Sequence, residues 1–114
     1  MKLLFIITKG LEKSGSAIRA MQVAALTSSR GHNVEVFLMD EAVQWARCIK
    51  AAYGEGLSDY MAMLNSREHP VLVCKSCAEK RLIRQDDLIE GTVIVPMPVL
   101  VEKLASPDYK VLTF

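Results

Sequence analysis

The chain has 114 residues, 51% hydrophobic, 6% aromatic and 24% charged, and its 14 Lys and Arg against 13 Asp and Glu leave a net charge of +1. That composition excludes an intrinsically disordered tail, and the near-neutral balance leaves no global electrostatic footprint for nucleic acid. Size scaling gives roughly 18,000 Å² of surface for the unfolded chain and about 6,000 Å² for the folded one, enough burial for one core but not for two. A single domain over residues 1–114 is therefore expected.

Lys2 to Thr8 is a continuous apolar run rich in Ile, as a strand covered on both faces requires. Thr8 to Ser14 is polar and contains Gly10, so it reads as a loop. From Gly15, apolar Ala17, Ile18, Met21, Ala24 and Ala25 recur at helical spacing, with Ser14 as the expected N-cap and Gly31 suited to the position after the helix. Asn33 to Met39 is a second strand, which closes a βαβ unit and makes the two strands parallel. Asp40 is expected to cap a short helix from Glu41 to about Cys48 that turns Ala42, Trp45 and Ala46 inward. Gly54 and Gly56 mark a loop, and a helix from Ser58 to Arg67 follows, with Tyr60, Met61 and Leu64 on one face and Pro70 beyond it. Val71 to Cys74 is a short third strand, and Lys75 to Leu82 reads as a helix opening directly at its end. Gln85 to Ile89 is a further helical turn ended by Gly91; Thr92 to Val95 is a strand, Val99 to Ala105 a helix and Tyr109 to Phe114 the last strand. This alternation implies an α/β fold, a three-layer α/β/α sandwich of flavodoxin-like type with a mostly parallel sheet of about five strands.

The apolar run Leu3 to Ile7 is too short for the core of a secretory signal, and no stretch reaches the ~20 apolar residues that span a bilayer. A cytoplasmic protein without direct membrane contact is expected. Three cysteines, Cys48, Cys74 and Cys77, are too few for a disulfide framework and in a reducing compartment point to catalytic, redox or metal chemistry.

Sites in open α/β sheets form at the carboxyl ends of the strands, which directs attention to Thr8–Ser16, Asp40–Glu41, Cys74–Cys77 and Pro96–Pro98. Cys74-Lys75-Ser76-Cys77 stands out. A thiol at a strand end that opens a helix faces unpaired N–H groups and the positive end of the helix dipole, both of which favour thiolate. Lys75, Lys80, Arg81 and Arg84 against Glu79 alone make the flank cationic, in the same sense. Cys74 is thus expected to be largely ionised and open to solvent, while Cys48, beside Trp45 and Ile49, reads as a packing residue. A zinc site would have to recruit Cys48, His32 or His69, and His32 belongs at the opposite end of the sheet, so no metal is expected. A thioredoxin-like dithiol and a persulfide carrier both fit the C-x-x-C spacing.

The segment Val71 to Leu82, VLVCKSCAEKRL, resembles the active-site segment of the DsrE/DsrF/TusD sulfur-relay family, in which an apolar strand ends in Cys and an Arg follows seven residues later. Cys74 and Arg81 keep that spacing. The opening KLLFIITKG, the stretch RGHNVEVFLMDEAV, DLIEGTV after the cysteine helix and the terminal KVLTF are similar as well. The chain departs from the pattern at Leu82, where the family usually has Gly, and at Cys77, an additional thiol one helical turn from Cys74. The resemblance implies a flavodoxin-like subunit of trimers, or of hexamers built from stacked trimers, or of hetero-oligomers with paralogues. It implies that Cys74 carries persulfide sulfur between donor and acceptor proteins, with Arg81 as the neighbouring family arginine; Cys77, outside the family pattern, is expected as a second catalytic thiol that resolves the persulfide by forming a disulfide, and Lys75 and Arg81 as cations that stabilise the persulfide anion. No cofactor is expected. Two other readings stay open: a dithiol oxidoreductase using Cys74 and Cys77, and a non-catalytic subunit of a sulfur-transfer complex.

Among weaker signals, Thr8 to Ser16 occupies the phosphate-binding place of flavodoxin-like folds but has no P-loop Lys-Ser/Thr pair after its second Gly, so it reads as helix capping and as a wall of the crevice near Cys74. Met21, Met39, Met61, Met63 and Met97 read as core gap-fillers, and Trp45 and Tyr53 as half-buried residues or interface anchors.

Overall fold

The computed structural model describes residues 1–47, 57–65 and 70–114. The apolar runs become five strands, β1 (Lys2–Ile7), β2 (Asn33–Leu38), β3 (Val71–Cys74), β4 (Thr92–Val95) and β5 (Tyr109–Thr113). All neighbours pair in parallel, in the order β4-β3-β2-β1-β5. Every residue of β3, and all but the first of β2, is buried, as in a parallel sheet covered on both faces; β3 is apolar throughout, while β2 carries the charged Glu35 among its apolar residues. The helices described are α1 (Ser14–Ser29), α2 (Leu57–Asn65), α3 (Lys75–Lys80) and α4 (Met97–Ala105), with 3-10 turns at Leu11–Lys13, Asp40–Ala46 and Gln85–Asp87.

Right-handed crossovers that step in one direction from β1 towards β4 place their helices on one face of the sheet, and α1 and α2 do pack against each other. The return from β4 to β5, on the far side of β1, carries α4 to the opposite face. One helix of nine residues, about 13.5 Å long, thus faces a sheet of five strands, about 19 Å across. Its coverage is incomplete: Val93 and Val111, which the strand register puts on the α4 face, remain exposed, as do Met97, Val101 and Leu104 of α4 itself. Met97 is accordingly no core gap-filler, whereas Met21 and Met61 are fully packed.

Three local expectations change. Ser14 is the first residue of α1 rather than its cap, because the 3-10 turn Leu11–Lys13 runs straight into the helix and makes Lys13 the N-cap. Asp40 does not cap an α-helix; Met39 is the extended residue before a seven-residue 3-10 segment, and Asp40 takes a left-handed φ of 52° inside it. Trp45 is no interface anchor: it is wholly buried, and its indole N–H donates to the Lys9 carbonyl at 2.8 Å, the partner a buried Trp needs. Gly31 does end α1 with φ +91°, the conformation in which glycine carries no steric penalty. Cys48, Tyr53, Gly54, Gly56 and His69 lie outside the described residues.

One polar cluster fastens α4 to the sheet. Glu35, nearly buried in the middle of β2, accepts from Lys103 Nζ at 2.5 Å and from the Tyr109 hydroxyl at 2.7 Å, while Lys103 also donates to that hydroxyl at 3.1 Å. Burial opposes the charge on Lys103, but its bonds to Glu35 and Tyr109 prevail and its pKa lies above the ordinary lysine value. The three side chains come from β2, α4 and β5, so the cluster acts as a tertiary fastener whose polar groups satisfy one another. Tyr109→Phe removes a hydrogen bond to a nearly buried carboxylate and should lower the unfolding free energy by about 2 kcal/mol, read as a lower urea midpoint with an unchanged m-value.

Candidate functional site

β2 and β3 are adjacent, so the chain leaves the sheet at Met39–Asp40 and at Cys74–Lys75 side by side. Cys74 ends β3 and is itself the N-cap of α3, with extended backbone (φ −62°, ψ 122°). Its Sγ lies 3.4 Å from Ser76 Oγ. Burial works against ionisation of this thiol, but hydrogen bonding from the Cys77 thiol, the Ser76 hydroxyl and the Cys77 and Ser76 amides outweighs it and holds the pKa below the ordinary thiol value. The expected direction is met by different means. A six-residue α3 has a small dipole, and local hydrogen bonds supply the shift. The expected exposure is not met: Cys74 is 0% accessible, sealed by the strand it ends and the helix it starts.

Cys77, one turn into α3, is the member of this pair with access to solvent. It lines a cleft of about 310 Å³ with Asp40, Ser76, Lys80 and Arg81. The backbone N–H of Asp40 donates to its Sγ at 3.2 Å. Burial and the hydrogen bond it gives to Cys74 push the Cys77 thiol above the ordinary value, with the Asp40 amide pulling the other way. The two sulfurs therefore form a pair with opposed tendencies: an inner one that favours thiolate and an outer one that keeps its proton.

Arg81 also borders the cleft, but its guanidinium is engaged. It donates to the Cys77 carbonyl at 3.0 Å and forms an ion pair with Glu41, which holds the Glu41 carboxyl below its usual range and raises Arg81 further. Glu41 in turn is packed against the first loop so closely that a side-chain carbon at Gly10 would stand 2.5 Å from its Cβ. The loop Thr8–Ser16 thus braces the site from behind through Gly10 and the Lys9–Trp45 bond, rather than walling the cleft. Lys75 is exposed and stands outside the cleft lining, where Lys80 is the lysine present. Among the described residues, no group of three or more His, Cys, Asp or Glu side chains is placed to hold a metal ion.

The sequence profile of the DsrE/DsrF-like family matches residues 1–114. The chain belongs to that family. It is 31% identical over 120 residues to the uncharacterized protein MJ0989 of Methanocaldococcus jannaschii, covering all of both chains. It is also 31% identical over 104 residues to the protein YchN of Escherichia coli, covering 89% of this chain and 88% of YchN. The crystal structure of E. coli YchN superposes with a TM-score of 0.87 at 26% identity, over 100% of this chain and 99% of that one. The protein MTH1491 of Methanobacterium thermoautotrophicum shares the fold, with a TM-score of 0.72 at 16% identity over 99% and 98% of the two chains.

At Leu82, where the resemblance leads one to expect Gly, the structure shows how a leucine is accommodated. Helix α3 ends at Lys80, two residues before the expected Leu82, in a full Schellman arrangement: Ile83 N–H bonds to the Ala78 carbonyl at 2.9 Å and Leu82 N–H to that of Glu79 at 3.1 Å. That turn requires a left-handed residue at position 82, and Leu82 adopts it with φ 58°. The turn geometry is therefore the one a glycine would give, held by leucine at a steric cost. Sequence reasoning placed Asp40 and Glu41 near the site by the strand-end rule but assigned them no role. The Asp40 amide, the Ser76 hydroxyl and the Glu41 carboxylate act through tertiary or backbone contacts that no spacing reveals.

Leu82 is 85% exposed, so replacing it sacrifices little packing. Leu82→Gly should raise stability by about 1 kcal/mol by relieving the left-handed strain, seen as a higher thermal midpoint with α3 intact by circular dichroism.

Proposed function

We propose that this protein is a sulfur-relay protein that accepts persulfide sulfur from a donor protein and passes it to an acceptor, holding it on the Cys74–Cys77 pair. The observation that carries this reading is the pair itself: a buried Cys74 whose thiolate is favoured and, one helical turn on, Cys77 lining a cleft with Lys80 and Arg81. Membership of the DsrE/DsrF-like family supports the same chemistry, since the resemblance of Val71–Leu82 to the family's active-site segment falls on these residues. In the exchange, a cysteine thiolate attacks the outer sulfur of a donor persulfide, the donor's inner sulfur leaves as thiolate, and the new S–S bond remains on this chain. Rate then follows thiolate fraction, access and the acidity of the leaving thiol. Such a relay needs thiols kept reduced, in keeping with a cytoplasmic setting.

A second reading, thiol–disulfide exchange between Cys74 and Cys77, is supported by their spacing. Residues three apart at the start of a helix have side chains about 5–6 Å apart at Cβ, near disulfide reach. A relay and a dithiol oxidoreductase are separated by what the pair retains: an added sulfur in the first case, a lost pair of hydrogens in the second.

The partners include further copies of this chain. No helix among the described residues is long and apolar enough to cross a membrane. Val93, Val101, Leu104 and Val111 on the side of the sheet guarded only by α4 are suited to burial against another subunit, in line with the trimers and hexamers that the resemblance implies.

Two outcomes test these statements. Incubation with glutathione persulfide should add the mass of one sulfur atom to the wild type and none to the Cys74→Ser/Cys77→Ser double variant; equal uptake by both refutes the relay. Val101→Glu should lower the mass measured by analytical ultracentrifugation while leaving the helical content unchanged.

A further inference from the structure

We infer that Ser76 decides what reaches the sulfur of Cys74: its side chain covers that sulfur on the cleft side, admitting the terminal sulfur of a persulfide and turning disulfides away. The inference rests on the relay reading and deepens it by naming the residue that selects the substrate class. Cys74 is wholly enclosed and absent from the cleft lining, yet a carrier thiol must meet its donor. Ser76 links the two. Its Oγ lies 3.4 Å from Cys74 Sγ, and the residue is itself exposed and borders the cleft with Asp40, Cys77, Lys80 and Arg81.

This placement follows from the path of the chain. Cys74 is the N-cap of α3, so Ser76 is the second helical residue, on the turn that runs beside the capping side chain. A serine cover is easily moved. Exposed side chains change rotamer within picoseconds to nanoseconds, so Ser76 can turn about χ1 and uncover Sγ while α3 stays where it is. The strand that Cys74 ends and the helix it starts remain in place, and the opening is one small side chain wide.

Displacement at sulfur needs the attacking, attacked and leaving sulfurs in line. In a persulfide R–S–SH the attacked outer sulfur carries only hydrogen, so it fits a narrow opening with the rest of the donor trailing in the cleft. In a disulfide both sulfurs carry carbon, and the substituent on the attacked one would have to be lodged against the walls around Cys74. The Cys74 thiolate takes the outer sulfur: the bond from Sγ to it forms, the donor S–S bond breaks and R–S⁻ departs. One thiolate enters and one leaves; no oxidant or reductant is consumed. The new sulfur stands about 2.05 Å beyond Sγ, in the opening that leads to Lys80 and Arg81. Ser76 serves the charge as well as the access. Burial opposes the Cys74 thiolate, and the Ser76 hydroxyl is among the donors that nonetheless hold its pKa below the ordinary thiol value.

The test uses the Cys77→Ser chain, in which Cys74 is the thiol left in the C-x-x-C motif, with glutathione persulfide and glutathione disulfide as probes. Peptide mapping reads the adduct on Cys74. Adding Ser76→Gly should speed glutathionylation by the disulfide more than about tenfold and change sulfur loading by less than about threefold, since access governs the first more than the second. Ser76→Ala keeps most of the cover and loses the donor, so the pH of half-maximal loading should rise; Ser76→Thr, which keeps a hydroxyl, should leave it where serine does. These two supply readouts that a helix merely loosened by glycine would not move. Unchanged glutathionylation in Ser76→Gly, or an equal rise of both reactions, overturns the selection, and an unmoved pH profile in Ser76→Ala overturns the donor role; either result leaves the relay standing on Cys74. Absence of sulfur on Cys74 in the Cys77→Ser chain, with the wild type loading, overturns the inference alone. Failure of the wild type to load overturns the relay with it.

Discussion

The hydrogen bond from the Asp40 amide to the Cys77 sulfur ties together the ends of two neighbouring strands, and most of what the site can do depends on it. It exists because β2 and β3 lie side by side and point the same way, so their exits meet at one edge of the sheet. Had the strands been antiparallel, Asp40 would stand at the far end from Cys77. A parallel sheet thus does more than carry the fold: it collects backbone donors from one strand end and thiols from the next into a single crevice.

That crevice is held by strain as well as by contacts. Asp40 and Leu82, the non-glycine residues with positive φ among those described, stand at the two margins of the site. The first carries the amide that meets the Cys77 sulfur; the second closes the helix that carries the sulfur. Asp accepts the left-handed conformation more readily than Leu does, so the costs differ while the logic is shared. The surrounding scaffold sustains both. Arg81 joins the helix to Glu41, Glu41 is wedged against Gly10, and the buried Trp45 bonds the 3-10 segment to Lys9. Rigid support behind a reactive group is what keeps a fixed donor worth having, since it needs no reorganisation when charge develops.

The far end of the molecule is organised differently. There the buried Glu35, Lys103 and Tyr109 bind one helix to a sheet it cannot cover, and the polar cluster gives that helix a defined position that its short apolar stripe alone would leave loose. The apolar side chains left exposed here, Val93, Val101, Leu104 and Val111, belong to the face of the sheet opposite α1 and α2.

The amino-acid sequence by itself determined the α/β class, the five strands nearly to the residue, the glycine stop at Gly31 and the position of the C-x-x-C pair at a strand end, because each of these is written in local periodicity or in a turn residue. The likeness of Val71–Leu82 to a family's active-site segment was legible for the same reason. Strand order, the one-sided helix coverage and the bond from the Trp45 indole to the Lys9 carbonyl were decided only by the tertiary structure, since they depend on which segments pack against one another. So was the unequal burial of the two thiols. Spacing made Cys74 the natural nucleophile, yet spacing carries no information about enclosure; the packing of β3 against its neighbours hides one sulfur and the cleft beside Asp40 opens the other.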